Sequence, residues 1–368
     1  MSGIYVHIPF CQSRCVYCDF FSTTRLELRH RYVVALCREL DARRDYIAGP
    51  AHTIYIGGGT PSQLDADDLR LLFSHIDTSA AAEVTMECNP DDVTPELAAT
   101  LSALPVNRVS MGAQTFNDER LTFLRRRHTA RQVEQAVGLL RHAGIENISL
   151  DLMYGFPGET LNDWHTDIDS VLRLSPEHIS AYALMYEEGT PLYRMLTQGI
   201  VDEADEELSI KMYSDLADRL REAGYEHYEI SNFALPSFRS LHNSNYWNET
   251  PYLGVGAAAH SYNGSSRQWN VSDLEAYIEG MENGRVVAES EQLSDDTRYN
   301  ERVMTALRTC EGLRLSRLTS QQHQYCLQQA APFVDAGLLQ LSDDRLVLSR
   351  KGLFVSNMVM SALMKVDD

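Results

Sequence analysis

Residues 11–20 read Cys11-Gln-Ser-Arg-Cys15-Val-Tyr17-Cys18-Asp19-Phe20, a CxxxCxxC spacing directly behind the apolar run Gly3-Ile-Tyr-Val-His-Ile8. Three thiolates from one short loop can cap three irons of a cubane 4Fe–4S cluster and leave the fourth iron without a protein ligand. Electron-transfer clusters with four cysteines are closed. An open iron binds a substrate or cofactor, as the open position of a catalytic zinc does. A zinc knuckle is the alternative, but zinc wants a fourth Cys or His nearby, and His7 and His30 are poorly spaced for it. The usual occupant of such an open iron is the amino and carboxylate group of S-adenosylmethionine, the source of radical chemistry.

The rest of the chain is of a kind that could carry such a site. Its 368 residues suffice for one large domain and a smaller one, and 44% hydrophobic content is typical of a folded protein. No apolar run reaches the length of a membrane span, and the first ten residues lack the basic stretch and long apolar region of a signal peptide. Seven cysteines, an odd number in a long chain, argue against a secreted disulfide framework. An oxygen-sensitive cluster also needs a reducing compartment, so a cytoplasmic protein is expected. The net charge of −20 disfavours nucleic acid as a partner, because phosphate contacts are built mainly from Lys and Arg. From Asp295 to Asp368 there are nine basic and nine acidic residues, so a winged-helix-like tail would be neutral.

From residue 3 to about 230, short β-branched runs alternate with longer amphipathic stretches. Strands are expected at Gly3–Ile8, Thr53–Ile56, Glu83–Met86, Arg108–Met111, Ile148–Leu152 and His178–Leu184. Helices are expected at Glu27–Tyr46, Ala66–Ile76, Pro95–Leu104, Ala130–Ala143, Leu161–Leu174 and Glu206–Ala223. Repeated β-then-α order predicts a parallel sheet with right-handed crossovers. Six units are too few for a closed eight-stranded barrel, so the fold class is α/β, an open, partial (β/α)6 TIM-like barrel over residues 1–230. Residues 231–290 read as a barrel extension of short strands and loops, with a linker near Arg285–Ser294. Residues 291–368 read as a smaller, mainly helical domain with a β-wing at Leu338–Leu348.

Parallel α/β folds collect ligands at the carboxyl ends of their strands. Behind the five strands after which they fall stand the cysteine loop, Gly57-Gly58-Gly59-Thr60-Pro61, Glu87-Cys88-Asn89-Pro90, Gly112-Ala113-Gln114 and Asp151-Leu152-Met153-Tyr154-Gly155. Consecutive glycines let backbone approach a bound amino acid or ribose, and Thr60 adds a hydroxyl. Glu87 and Asp151 can accept hydrogen bonds from ribose hydroxyls or an ammonium group. Gln114 offers donor and acceptor, and Arg126 can clamp a carboxylate in a fork. Each has a plainer alternative, a tight turn for the glycines or a helix cap for a strand-end carboxylate.

Taken in order, Tyr5-Val-His-Ile-Pro-Phe-Cys-x3-Cys-x-Tyr-Cys, Gly-Gly-Gly-Thr-Pro, Glu-x-Asn-Pro, Gly-x-Gln-x-Phe and Asp-Leu-x-Tyr-Gly resemble the radical S-adenosylmethionine (SAM) family of oxygen-independent coproporphyrinogen III oxidases. They look closest to its HemW branch, the haem chaperones. The resemblance implies that Cys11, Cys15 and Cys18 hold the cluster. It implies that Tyr5, Gly58, Gly59, Thr60, Glu87, Gln114, Arg126 and Asp151 contact SAM, with Tyr17 packing by the adenine. The oxidases carry a fourth cysteine two residues after the third, where this chain has Phe20, and a long extension before the cluster, where it has ten residues. Both departures point to the chaperone branch.

His242-Asn-Ser-Asn-Tyr246-Trp247 resembles that branch's HNxxYW motif. An imidazole is a good axial ligand for haem iron, and Tyr246 and Trp247 could pack on a porphyrin face, so His242 is the expected haem ligand. His260 is an alternative, and His7, beside the cluster loop, is expected to be structural. Cys37, Cys88, Cys310 and Cys326 are expected to be buried and inert. The function expected is binding of haem as cargo and its delivery to apo-haemoproteins, membrane respiratory enzymes among them, with no catalytic residue assigned. A coproporphyrinogen oxidase or a radical methyltransferase acting on haem is the enzymatic alternative. The resemblance also allows a homodimer, which no pattern in the chain marks.

Overall fold

Six strands follow one another with helices between them in the computed structural model, which describes residues 2–365. They are β1 (Gly3–Ile8), α1 (Arg29–Ala42), β2 (Thr53–Gly58), α2 (Ala66–Ser74), β3 (Glu83–Cys88), α3 (Pro95–Ala103), β4 (Arg108–Gln114), α4 (Asp118–Phe123), α5 (Ala130–His142), β5 (Asn147–Tyr154), α6 (Leu161–Leu174) and β6 (His178–Ala183). Helix starts are written locally. Asp65 and Thr94 cap α2 and α3, Pro95 occupies the first turn of α3, and Thr129 and Thr160 build capping boxes on α5 and α6. β1 to β6 pair in parallel in sequence order, the open (β/α)6 arrangement expected. Strands β2, β3 and β4 run two or three residues further than their apolar runs, because the polar and glycine residues at their ends still pair.

The chain continues through α7 (Pro191–Thr197), α8 (Glu206–Glu222), β7 (Glu226–Glu229), β8 (Asn232–Ala234), α9 (Leu241–Trp247), β9 (Tyr252–Val255), β10 (His260–Tyr262), β11 (Ser266–Asn270), α10 (Leu274–Glu282) and β12 (Ala288–Gln292). β8 and β7 extend the β6 edge antiparallel. β9 adds a parallel strand beside β1, and β10, β11 and β12 continue outward. Two expectations are corrected here. The linker at Arg285–Ser294 is largely an edge strand, hidden from sequence because Ala288-Glu-Ser-Glu-Gln292 is mostly exposed and shows no apolar face. The stretch read as strands and loops contains α9, seven residues under a Ser240 cap, too short to display a 3.6-residue period.

Alternate strand residues face opposite ways. Ile54, Ile56, Val84, Met86, Val109, Met111, Leu150, Leu152 and Ile179 meet Leu36, Leu72, Val133, Leu140, Trp164 and Leu216 from the outer helices, and this is the main core. The Trp164 indole N–H donates to Met212 O at 2.9 Å, tying α6 to α8. A separate core of Tyr299, Val303, Leu307, Cys326, Leu346 and Leu363 belongs to the last part of the chain. That part comprises α11 (Asp295–Ala306), β13 (Leu313–Arg314), α12 (Ser320–Asp335), β14 (Leu339–Ser342), β15 (Arg345–Leu348), α13 (Arg350–Leu353) and α14 (Ser356–Leu363). β14 and β15 form the wing, with β13 paired to β15.

Candidate functional site

The other strand faces turn inward and are polar. Registers align Tyr55 with Thr85, Thr85 with Arg108, Glu87 with Ser110, Gly112 with Asp151, and Asp151 with Ser180. These side chains surround a cavity of about 420 Å³ whose lining includes Glu87, Arg108, Gln114, Asp151, Ser180 and Tyr182, with Tyr17, Cys18 and Phe20 from the cysteine loop. That volume is in the range of small-molecule sites. Arg108 was missed by sequence reasoning. It is 1% exposed, its Nε has no partner among the described residues, and its guanidinium makes no hydrogen bond to any of them. Its signal was the alternation Arg108-Val-Ser-Met-Gly112, a charged residue in phase with small polar ones inside a strand.

The two carboxylates are held above their ordinary range. Burial pushes Glu87 up to about 7, although Tyr55 Oη donates to it at 2.7 Å and the Gly58 N–H at 3.1 Å. Burial pushes Asp151 up to about 6, against the pull of Ser180, Arg108 and Arg126. Raised carboxyls close to a buried, unpartnered guanidinium mark a site built for a polar ligand that brings its own charges.

On the rim, Thr60 Oγ1 donates to Cys11 Sγ at 3.4 Å and Arg126 Nη1 to Cys15 Sγ at 3.6 Å. Arg126 Nη2 is fixed by Asn89 Oδ1 at 2.9 Å and Gly112 O at 2.7 Å, while its buried Nε lacks a partner among the described residues. Burial pushes the Cys11 thiol up and the Cys18 thiol up to about 11, so the loop has no intrinsic reason to hold free thiolates. Among the described residues no three potential ligands are drawn together tightly enough to hold a metal. The donor set fits an iron–sulfur cluster chemically: three free thiols on one loop, with a hydroxyl and a guanidinium aimed at two sulfurs, where such donors tune a cluster. Ligand thiols are deprotonated as metal binds.

Some expected site residues stand elsewhere. Tyr5 is outside the cavity lining; its hydroxyl lies 3.0 Å from His7 Nδ1 and its ring packs on Tyr55. The side of Gly58 and Gly59 on which a Cβ would project is filled by protein. At Gly58, with φ +113°, it would meet the His7 ring at 2.6 Å, and at Gly59 the Pro9 carbonyl carbon at 2.7 Å. These glycines therefore permit close packing of β2 against the end of β1. His7 is structural, with Nε2 3.0 Å from Phe21 O. Cys88 is buried on the outer face, whereas Cys310, expected to be buried, is exposed.

His242 is corrected as a haem ligand. It is 2% exposed and stacks on Tyr55 at 5.2 Å; Nδ1 lies 3.0 Å from Thr53 Oγ1 and Nε2 3.0 Å from Tyr246 Oη. Both nitrogens are taken. Glu83 accepts the Leu241 and His242 N–H groups, so α9 docks onto the interior strand faces and its Asn243 reaches the cavity. His242→Ala should cost about 2–4 kcal/mol, since it leaves Thr53 and Tyr246 without a partner and opens a void. Chemical denaturation measures this, and an unchanged midpoint would contradict the structural role.

The fold and the cysteine loop with its rim define the class, a radical SAM protein: the Radical SAM superfamily model matches residues 5–171 and the HemN C-terminal domain model residues 293–355. The chain is 35% identical to the heme chaperone HemW of Mycobacterium tuberculosis over 98% of its own length and 94% of that protein. It is 33% identical to the heme chaperone HemW of Bacillus subtilis over 99% of each. The chain belongs to the HemW family of radical SAM proteins. That membership implies a 4Fe–4S cluster and SAM. Among solved structures, coproporphyrinogen III oxidase (HemN) of Escherichia coli superposes with a TM-score of 0.84, covering 99% of this chain and 90% of that one at 22% identity, which shows a shared fold. No helix among the described residues is long and apolar enough to cross a membrane.

Proposed function

We propose that this protein binds haem and passes it to apo-haemoproteins, membrane respiratory enzymes among them, on a radical SAM scaffold. The observation that carries this is the full-length similarity to proteins named as heme chaperones. Phe20, 68% exposed on the cavity's edge, supports it, since that is the position of the oxidases' fourth cysteine. In this reading Cys11, Cys15 and Cys18 hold the cluster, with Arg126 and Thr60 donating to its sulfurs. Glu87, Gln114 and Asp151 bind SAM in the cavity, and Tyr17 packs beside it. Arg126, expected from the sequence as a carboxylate clamp, donates in this structure to Cys15, Asn89 and Gly112, and Arg108 is the cation without a hydrogen bond among the described residues that line the cavity. A reduced cluster with SAM bound supplies radical chemistry; the residues here orient, desolvate and set charge.

The test is anaerobic incubation of cluster-loaded protein with SAM, reductant and coproporphyrinogen III. No protoporphyrinogen beyond a single equivalent is expected, while haem-loaded protein should donate its haem to an apo-haemoprotein of b type. Protoporphyrinogen formed over many turnovers would overturn the chaperone assignment in favour of the oxidase.

A further inference from the structure

With His242 sealed inside the protein, a haem iron needs another ligand, and β10 provides one. His260 opens that strand opposite Trp269 of β11, on the hairpin face that also carries Arg267. Its imidazole is exposed, lies against the Trp269 ring at 6.1 Å with the planes 27° apart, and is hydrogen-bonded by no described residue. It faces a cleft of about 390 Å³ walled by Tyr5, Phe20, Phe21, Tyr246 and Tyr252. Phe20 borders both this cleft and the main cavity, so the two hollows adjoin.

Three features meet there. Most of the wall is flat and aromatic, with His7, Asp19 and Ala258 completing it, and such rings are the surface on which a planar macrocycle gains stacking contact. An apolar ring left two-thirds in water, as Phe20 is, is surface for a ligand to cover. The imidazole is presented edge-free at the rim and oriented by its stack on Trp269. Arg267 lines the next hollow, which shares Tyr246 and Tyr252 with the cleft, and its guanidinium pairs with Glu301 at 3.0 Å.

We propose that this cleft is the haem site, with His260 as axial ligand to the iron and Phe20, Tyr246 and Tyr252 against the porphyrin. This rests on the haem-chaperone function proposed above. The imidazole lone pair forms the Fe–N bond, a solvent ligand leaves the iron, and no electron is transferred. Burial and the neighbouring Arg267 charge hold His260 below the usual histidine range, which favours the neutral, ligating form.

The test is an anaerobic haem titration of cluster-loaded protein, followed by the Soret band and by electron paramagnetic resonance. His260→Ala should bind haem at least about tenfold more weakly and lose the imidazole-ligated spectrum, with its thermal melt unchanged because the side chain is exposed. His260→Gly with added imidazole should recover the wild-type spectrum, which a merely structural role would not produce. His323→Ala, a half-buried histidine on α12 in the separate C-terminal part, should behave as wild type. Wild-type affinity and spectrum in His260→Ala would overturn the site while leaving the haem function standing. Absence of haem binding by the wild-type protein would instead overturn the function on which it rests.

Discussion

Cys15→Ser is expected to yield protein with iron and acid-labile sulfide at background and an unchanged far-UV circular dichroism spectrum. The loop has no spare ligand. Cys37, Cys88 and Cys326 are buried, and Cys310 is exposed between α11 and β13 in the C-terminal part. A serine hydroxyl does not ionise near neutral pH, so it cannot replace a thiolate. Cys15 is also the sulfur to which Arg126 donates, so the substitution alters a contact of that buried guanidinium as well. The main core lies between the sheet and its outer helices, and the buried anchor of the loop is Val16, packed with Leu124, Met153 and Leu192, which Cys15→Ser leaves in place. Iron and sulfide retained at wild-type levels would contradict the three-cysteine assignment, and tightly bound zinc in wild-type protein would restore the knuckle.

The second large effect is in pH dependence. The Glu87 carboxyl is pushed up to about 7 by burial, from an ordinary 4.5. A raised carboxyl favours the fold with its proton on. That contribution is fully present below about 4.5 and is lost as pH rises to about 7, amounting to about 3 kcal/mol in all. Glu87→Gln keeps the shape, carries no charge, and removes this dependence. In urea melts of SAM-free protein, the variant should gain on wild type by about 2–3 kcal/mol between pH 5 and pH 8. A constant difference across that range would show that Glu87 is not desolvated as the structure has it. SAM affinity should move the other way in wild-type protein, tightening as pH rises through 6 to 7. If Glu87 and Asp151 bind SAM as proposed above, their ionised forms would favour its ammonium and ribose hydroxyls, and Glu87→Gln should lose most of that gain.

The six-stranded parallel sheet was legible because short β-branched runs alternate with longer amphipathic stretches, and α2, α3, α5 and α6 start at Asp or Thr caps. The rim was legible because glycines, carboxylates and cysteines fell behind consecutive strands. The interior was not. Arg108, Ser110 and Ser180 reach the cavity through strand pairing with residues tens of positions away, which no local pattern displays. His242 was misread for a related reason: its motif resembles a ligand site, yet Thr53 and Tyr246 occupy both its nitrogens, and Thr53 lies far off in the chain. That Gly58 and Gly59 also pack against His7 and Pro9 is a tertiary fact which the glycine run does not display. His260 carried no motif, and only the hairpin that sets it on Trp269 beside the aromatic cleft distinguishes it from other surface histidines.

The most direct measurement of the central claim is an equilibrium haem titration of the wild-type, cluster-loaded protein with SAM present. A saturable Soret shift ending at one haem per chain is the result expected of a carrier. A featureless, non-saturating response with no haem retained on gel filtration would contradict it.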